Sequence, residues 1–176
     1  MRYTMKSGVL YEDASRVPLV KMKSAITGPV KMIYCNNEIM AIKTDICCSA
    51  PQKNQTGDTR SKVYIMKDGR DALIAVGKPG YAKEDEPETA GWPVCRVPRV
   101  DHADLTIENQ QFLLMMHNSQ NYSLRDGENN EILRILHKGI AGGWSIEDLH
   151  GFSPEVICGI FAFCRYIEQE NEFIIV

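Results

Sequence analysis

Chemistry-bearing residue types crowd one stretch of this 176-residue chain. It reads Gly91-Trp92-Pro93-Val94-Cys95-Arg96-Val97-Pro98-Arg99-Val100-Asp101-His102. Arg96 and Arg99 carry the forked donors that grip a phosphate or carboxylate, and Trp92 would wall such a site. Asp101 beside His102 has the composition of a general-base pair, provided something orients the imidazole. Adjacent residues on an extended strand point to opposite faces, so this pair is not expected to converge without a turn. The plainer reading is a proline-bent edge strand with ordinary ion pairs, and exposed ion pairs are weak evidence of a site.

A second basic set lies near the start. Lys21 and Lys23 are two apart and share a face on a strand, and a neighbouring hairpin could bring Lys31 or Lys43 alongside. An anionic headgroup patch and the solvated wall of a sheet both account for them. Other chemistry has no foothold. The histidines at 102, 117, 137 and 150 are dispersed, and there is no His-Glu-x-x-His, Gly-x-Ser-x-Gly, P-loop or dinucleotide fingerprint. Residues 139–143 are glycine-rich, yet Trp144-Ser145-Ile146 does not read as the helix that phosphate cradling needs. No catalytic residue, metal or cofactor is assigned.

Composition bounds the rest. A hydrophobic fraction of 44% and a charged fraction of 24% are those of a globular chain. A net charge of -3 argues against bulk electrostatic binding of nucleic acid. The six cysteines form no Cys-x-x-Cys pair, and the start of the chain lacks the apolar core of a secretory signal, so reduced thiols in a cytoplasm are expected. Cys47-Cys48 is an adjacent pair at a strand end, open to a redox reading or to simple partial burial.

The elements that must position these residues are mostly hairpins. Strands are predicted at 2–5 and 9–11 around Ser7-Gly8, at 17–26 closed by Thr27-Gly28-Pro29, and at 30–34 and 38–43 around Asn36-Asn37. Residues 49–61 hold no large apolar side chain and read as a mobile loop. Further strands are predicted at 63–66 and 72–76 around Asp68-Gly69. A polar loop at 83–89 follows, then strands at 94–97, 104–107, 111–116, 122–124 and 132–137, with Asp126-Gly127 turning the last pair. A short strand within 140–146 and a closing strand at 172–176 complete the set. The echo between Tyr64-Ile65-Met66-Lys67-Asp68-Gly69 and Tyr122-Ser123-Leu124-Arg125-Asp126-Gly127 fits either an internal duplication or the shared demands of such turns.

One helix stands apart. Ser153 is a good N-cap, Pro154 suits the first helical position, and residues 156–167 read as apolar on every face of a helical wheel. Such a helix must be surrounded, and the run falls short of the ~20 residues of a bilayer crossing. Many short strands favour closure into a barrel. A barrel of ten or so strands is too wide for its own side chains to fill. The expected fold is therefore mainly β: a closed or nearly closed antiparallel β-barrel around a C-terminal hydrophobic helix, spanning 1–176 as one domain.

On residues 64–76, 122–137 and Trp144-Ser145-Ile146-Glu147 leading into 153–167 and 173–176, the chain resembles the tubby-like superfamily. That superfamily joins the tubby C-terminal domain, the phospholipid scramblases and the plant LURP-one-related proteins. The resemblance implies a closed barrel around a buried helix and, as in tubby domains, recognition of phosphoinositide headgroups. The membrane-inserting segment and acidic calcium motif of scramblases have no counterpart here. The expected function is a non-enzymatic binding or scaffolding domain for anionic lipid headgroups or another phosphate-bearing ligand. Its candidate contacts are Trp92, Arg96, Arg99, His102, Lys21 and Lys23, in a cytoplasmic protein peripheral to the membrane. The alternatives are a hydrolase using residues 92–102 and a protein–protein adaptor, which a large exposed apolar patch would reveal.

Overall fold

Burial alternates along strand after strand, and that alternation builds a wall with one face turned inward. The computed structural model describes residues 1–35, 39–48, 52–54, 57–59, 62–82, 99–118, 120–139 and 142–172. The strands run β1 (Arg2–Lys6), β2 (Val9–Glu12), β3 (Pro18–Ser24), β4 (Lys31–Cys35), β5 (Met40–Cys48), β6 (Gln52–Asn54) and β7 (Gly57–Thr59). They continue with β8 (Lys62–Asp68), β9 (Leu73–Tyr81), β10 (Val100–Ile107), β11 (Gln110–Asn118), β12 (Asn121–Arg125), β13 (Glu131–His137) and β14 (Trp144–Asp148), followed by helix α1 (Pro154–Glu172). Tyr3 and Met5 of β1 are buried while Arg2 and Lys6 are exposed, and the same two-residue period recurs through β8 with Tyr64 and Met66 inside.

Twelve strands close into one antiparallel barrel in the order β1-β14-β13-β12-β11-β10-β9-β8-β5-β4-β3-β2. Apart from β6 and β7, each strand pairs with its neighbour in sequence, and β1 closes the ring on β14 through Arg2↔Glu147 to Met5↔Trp144. The predicted closing strand is not needed for this. Glu172 is the last helical residue, and 173–176 lie outside the described residues, as do the predicted 83–89 loop and 94–97 strand. The stretch read as a mobile loop differs from expectation. β6 and β7 pair separately, Gln52↔Thr59 to Asn54↔Gly57, because backbone pairing asks nothing of side-chain hydrophobicity. The short strand expected within 140–146 begins at Trp144 and runs to Asp148.

α1 fills the barrel. Ile157, Cys158, Ile160, Ala162, Phe163, Cys164, Tyr166 and Ile167 are fully buried, and Val156 and Phe161 are nearly so. Tyr64 packs its ring on Phe163 and Tyr166 with centroids 5.7 and 5.4 Å apart. The exception is Arg165, which is partly exposed, lies over the Trp144 ring, 5.6 Å from its centroid, and pairs with Glu168. Gly159 has a steric reason to lie mid-helix: a Cβ there would stand 2.3 Å from Met66 Cε. Burial pushes the Cys158 and Cys164 thiols well above their ordinary range.

The two Asp-Gly hairpins share one loop. Asp68 Oδ1 accepts from the N–H groups of Arg70 and Ala72, and Asp126 Oδ1 accepts from those of Glu128 and Asn130. The left-handed residue is not glycine but Asp71 (φ 66°) in one and Asn129 (φ 68°) in the other. The Tyr-x-apolar-basic-Asp-Gly echo thus corresponds to an inward tyrosine followed by a carboxylate-capped turn.

Candidate functional site

β3 alternates strictly enough to separate its apolar and basic residues. Val20 is buried, while Lys21 and Lys23 stand exposed on the outer wall. The turn at Thr27-Gly28 sets the register to β4, Lys21↔Tyr34, Met22↔Ile33 and Lys23↔Met32, and Lys21 also faces Val9 of β2. Lys23 Nζ lies 4.9 Å from the centre of the Tyr34 ring, a cation–π approach that holds the ammonium at the wall. Val9, Tyr11, Pro18, Lys21, Lys23 and Tyr34 line a depression of about 320 Å³ whose lining contains no acidic side chain.

Beyond Tyr11 lies a second depression of about 610 Å³, lined by Thr4, Lys6, Tyr11, Glu12, Asp13, Arg16 and Lys138. Thr4 Oγ1 donates to Asp13 Oδ1 at 2.5 Å, and Lys138 Nζ donates to Thr4 Oγ1 at 3.2 Å. Arg16 holds a left-handed backbone (φ 54°), its N–H bonded to the Glu12 carbonyl at 2.9 Å. On the other flank, Lys43 and Lys67 stand directly opposite one another across β5 and β8, and Lys43 faces Met32, the partner of Lys23. Like charges facing across a ladder are destabilising. Lys67 is relieved by Asp71 at 3.6 Å. Lysines and an arginine therefore gather on one sector of a chain that is acidic as a whole.

Lys31 departs from this group. It has the inward parity of buried Ile33, faces Thr44, and donates to Ser24 Oγ at 2.9 Å. Partial burial and the charge of Arg165 lower its pKa. At the other end of β4, the Cys35 thiol donates to Glu155 Oε1 at 3.1 Å. That bond, burial and the charge of Glu155 push the thiol up to about 11. For Glu155, burial acts upward but is outweighed by hydrogen bonds from Cys35, its own N–H and Ser153, leaving the carboxyl below its ordinary range.

The second predicted cluster lies elsewhere. Arg99 and His102 are on the β10 side, separated from β3 by β4, β5, β8 and β9 on the shorter way round the barrel. Trp92 and Arg96 lie outside the described residues. Asp101 and His102 do converge, contrary to the strand rule, with Asp101 Oδ1 2.6 Å from His102 Nδ1. The reason is a β-bulge: Val100 faces Tyr81 and His102 faces Gly80, so Asp101 is an extra residue in the ladder. The imidazole lies on Gly80, whose Cβ, were there one, would meet Nε2 at 2.2 Å. The nitrogen that would serve as base is thus turned onto backbone. The remaining histidines are absorbed structurally: His117 Nε2 lies 2.8 Å from Ser123 Oγ, His137 stacks on Trp144, and His150 packs on Phe112 and Phe152. Among the described residues no group of acidic, histidine or cysteine side chains could hold a metal.

Sequence reasoning found Lys21 and Lys23 but missed Tyr11, Tyr34, Lys6, Arg16, Lys67 and Lys138. Counting back from the Thr27-Gly28 turn would have placed Tyr34 beside Lys21. Tyr11, Lys6 and Arg16 needed the register of the β1–β2 and β2–β3 hairpins, which shifts at Leu10/Tyr11, and Lys67 and Lys138 needed pairings between strands distant in sequence. By architecture the chain is a helix-plugged, twelve-stranded antiparallel barrel with a basic sector on its outer wall. No family model, curated protein or solved structure matches it.

Proposed function

We propose that this chain is a tubby-like barrel that binds phosphate-bearing anionic headgroups at a membrane surface, in the cytoplasm, and does so without catalysis. The observation that carries the reading is the acid-free depression that places Lys21 and Lys23 between Tyr11 and Tyr34, next to Lys6 and Lys43. Lysine ammonium groups bind phosphate as point charges. Clustered on one face, they attract an anionic surface even when net charge is negative. No helix among the described residues is long and apolar enough to cross a bilayer, so the reading is of a peripheral contact. The five described cysteines are free thiols, in keeping with a reducing compartment.

Each lysine near an anionic leaflet contributes roughly 1 kcal/mol. Lys21→Ala with Lys23→Ala should therefore weaken binding to vesicles containing phosphatidylinositol bisphosphate about 30-fold. Raising the ionic strength should weaken wild-type binding further. Equal sedimentation of the wild type with neutral and anionic vesicles would refute the reading. A loss with Arg99→Ala but not with the lysine pair would move the site to the β10 side.

The close Asp101–His102 pair is the one observation that favours a hydrolase reading. The direction of Nε2 weighs against it. The adaptor reading has less support: the large exposed apolar side chains, among them Val17, Ile39, Leu73, Leu136 and Leu149, are dispersed over separate turns and strands.

A further inference from the structure

We infer that the β3–β4 hairpin enters the bilayer, with Ile26 as the inserted side chain. The inference rests on the headgroup reading above and specifies where the lipid surface lies. Ile26 is 103% exposed, a β-branched aliphatic side chain held wholly in solvent at the tip of a turn. An isolated surface isoleucine needs no explanation; a tip that is built and aimed does. Three contacts fix this one. The Ala25 N–H donates to the Val30 carbonyl at 2.9 Å, Lys31 Nζ donates to Ser24 Oγ at 2.9 Å, and Tyr166 of the central helix donates its hydroxyl to the Pro29 carbonyl at 2.8 Å. The hairpin is thus tied to the barrel plug through Pro29, while Ile26, Thr27 and Gly28 at its apex are exposed. Gly28 beside it has a left-handed backbone (φ 77°) and open space around its α-carbon.

The surroundings specify the occupant. Lys23 precedes the apex and Lys31 follows it, and the acid-free depression with Lys21 opens on the same hairpin. Next along the wall, the β1–β2 turn stops short, with the Gly8 carbonyl accepting from the Met22 N–H at 2.7 Å, so the β3–β4 tip extends past it. An aliphatic apex on the hairpin that carries the exposed Lys21 and Lys23 ammonium groups matches a layered surface, with phosphates outside and acyl chains beneath. A soluble phosphate offers nothing to Ile26.

The test compares three full-length proteins: wild type, Ile26→Asp and the Lys21→Glu/Lys23→Glu pair. Each is titrated with phosphatidylcholine vesicles containing phosphatidylinositol bisphosphate and, separately, with soluble inositol trisphosphate. Burial of each CH₂ is worth roughly a factor of four, so losing even part of the Ile26 contact should weaken vesicle binding about tenfold. Ile26→Asp should show that loss while keeping wild-type affinity for the soluble headgroup, and the lysine pair should lose both. An Ile26→Trp protein should show blue-shifted emission on vesicle addition, quenched by brominated acyl chains. Wild-type vesicle affinity in Ile26→Asp, or an added indole that stays water-exposed, would overturn the insertion and leave the headgroup reading standing. Failure of the wild type to bind either probe would overturn both.

Discussion

Replacing Gly159 by alanine pits two calculable effects against each other. In an isolated helix the change stabilises by about 1 kcal/mol. Here the new Cβ would stand 2.3 Å from Met66 Cε and 2.7 Å from Met66 Sδ. Ordinary contact lies at about 3.5–4.0 Å, so the end of Met66 must move by about 1 Å or more. A methionine tip on a surface would simply swing away. Met66 is fully buried within the closed wall, among side chains such as Tyr64 and Ala75, and so has little room to swing. Overpacking of this kind costs typically about 1–3 kcal/mol. With the collision in the upper part of that range, the net expectation is a destabilisation of about 1–2 kcal/mol. For a chain of this size each kcal/mol lowers the melting temperature by about 2–4 °C. Urea unfolding of four proteins reads it out: wild type, Gly159→Ala, Met66→Ala and the double variant. Met66→Ala alone should lose about 2–5 kcal/mol to its cavity. In that background the methyl at 159 has space, and the same Gly159→Ala change should now stabilise. The coupling between the two sites should exceed about 1 kcal/mol. Should Gly159→Ala stabilise the wild type and add independently to Met66→Ala, the enclosed, close-packed helix would be refuted at its centre.

Other consequences concern the links between plug and wall. Tyr166→Phe removes a hydroxyl that bonds both buried Thr44 and the Pro29 carbonyl, and should cost about 1–3 kcal/mol in urea unfolding. Thr44→Val, which leaves the Pro29 bond intact, should cost less; the reverse order would show that the hairpin is not held from inside. Cys47 and Cys48 are exposed, whereas the Cys35 thiol is held up at about 11, first by Glu155. Alkylation in mildly alkaline buffer, followed by mass spectrometry, should therefore modify Cys47 and Cys48 well before Cys35, and Glu155→Gln should accelerate Cys35. Because the folded Glu155 carboxyl is depressed, its contribution to stability is present above the ordinary carboxylate range and lost as pH falls through the lower, folded value. Acid melts of Glu155→Gln should accordingly be flatter than those of wild type; parallel curves would remove Glu155 from the account.

Much of this molecule was legible in its residues because the signals are local. Ser153-Pro154 opens the helix, and the lack of a broad polar face over 156–167 demands enclosure whatever the surround. Alternation marks β1, β8 and β11, and Asp68 and Asp126 mark their turns by capping the N–H groups two and four residues on. Even Lys21 and Lys23 follow from the two-residue period of β3.

Tertiary structure decided what depends on distant partners. Ring closure joins residues 2–5 to 144–147, a pairing no local pattern encodes. The basic sector draws Lys6 from β1 and Lys138 from the residue after β13, far apart in the chain, and sets Lys43 against Lys67. One extra residue at Asp101 turned two side chains expected to diverge into a hydrogen-bonded pair, then laid the imidazole on Gly80. A strand's own sequence states which residues share a face. Which strand lies beside it, and where a bulge shifts that face, depends on the register that closure around the helix imposes.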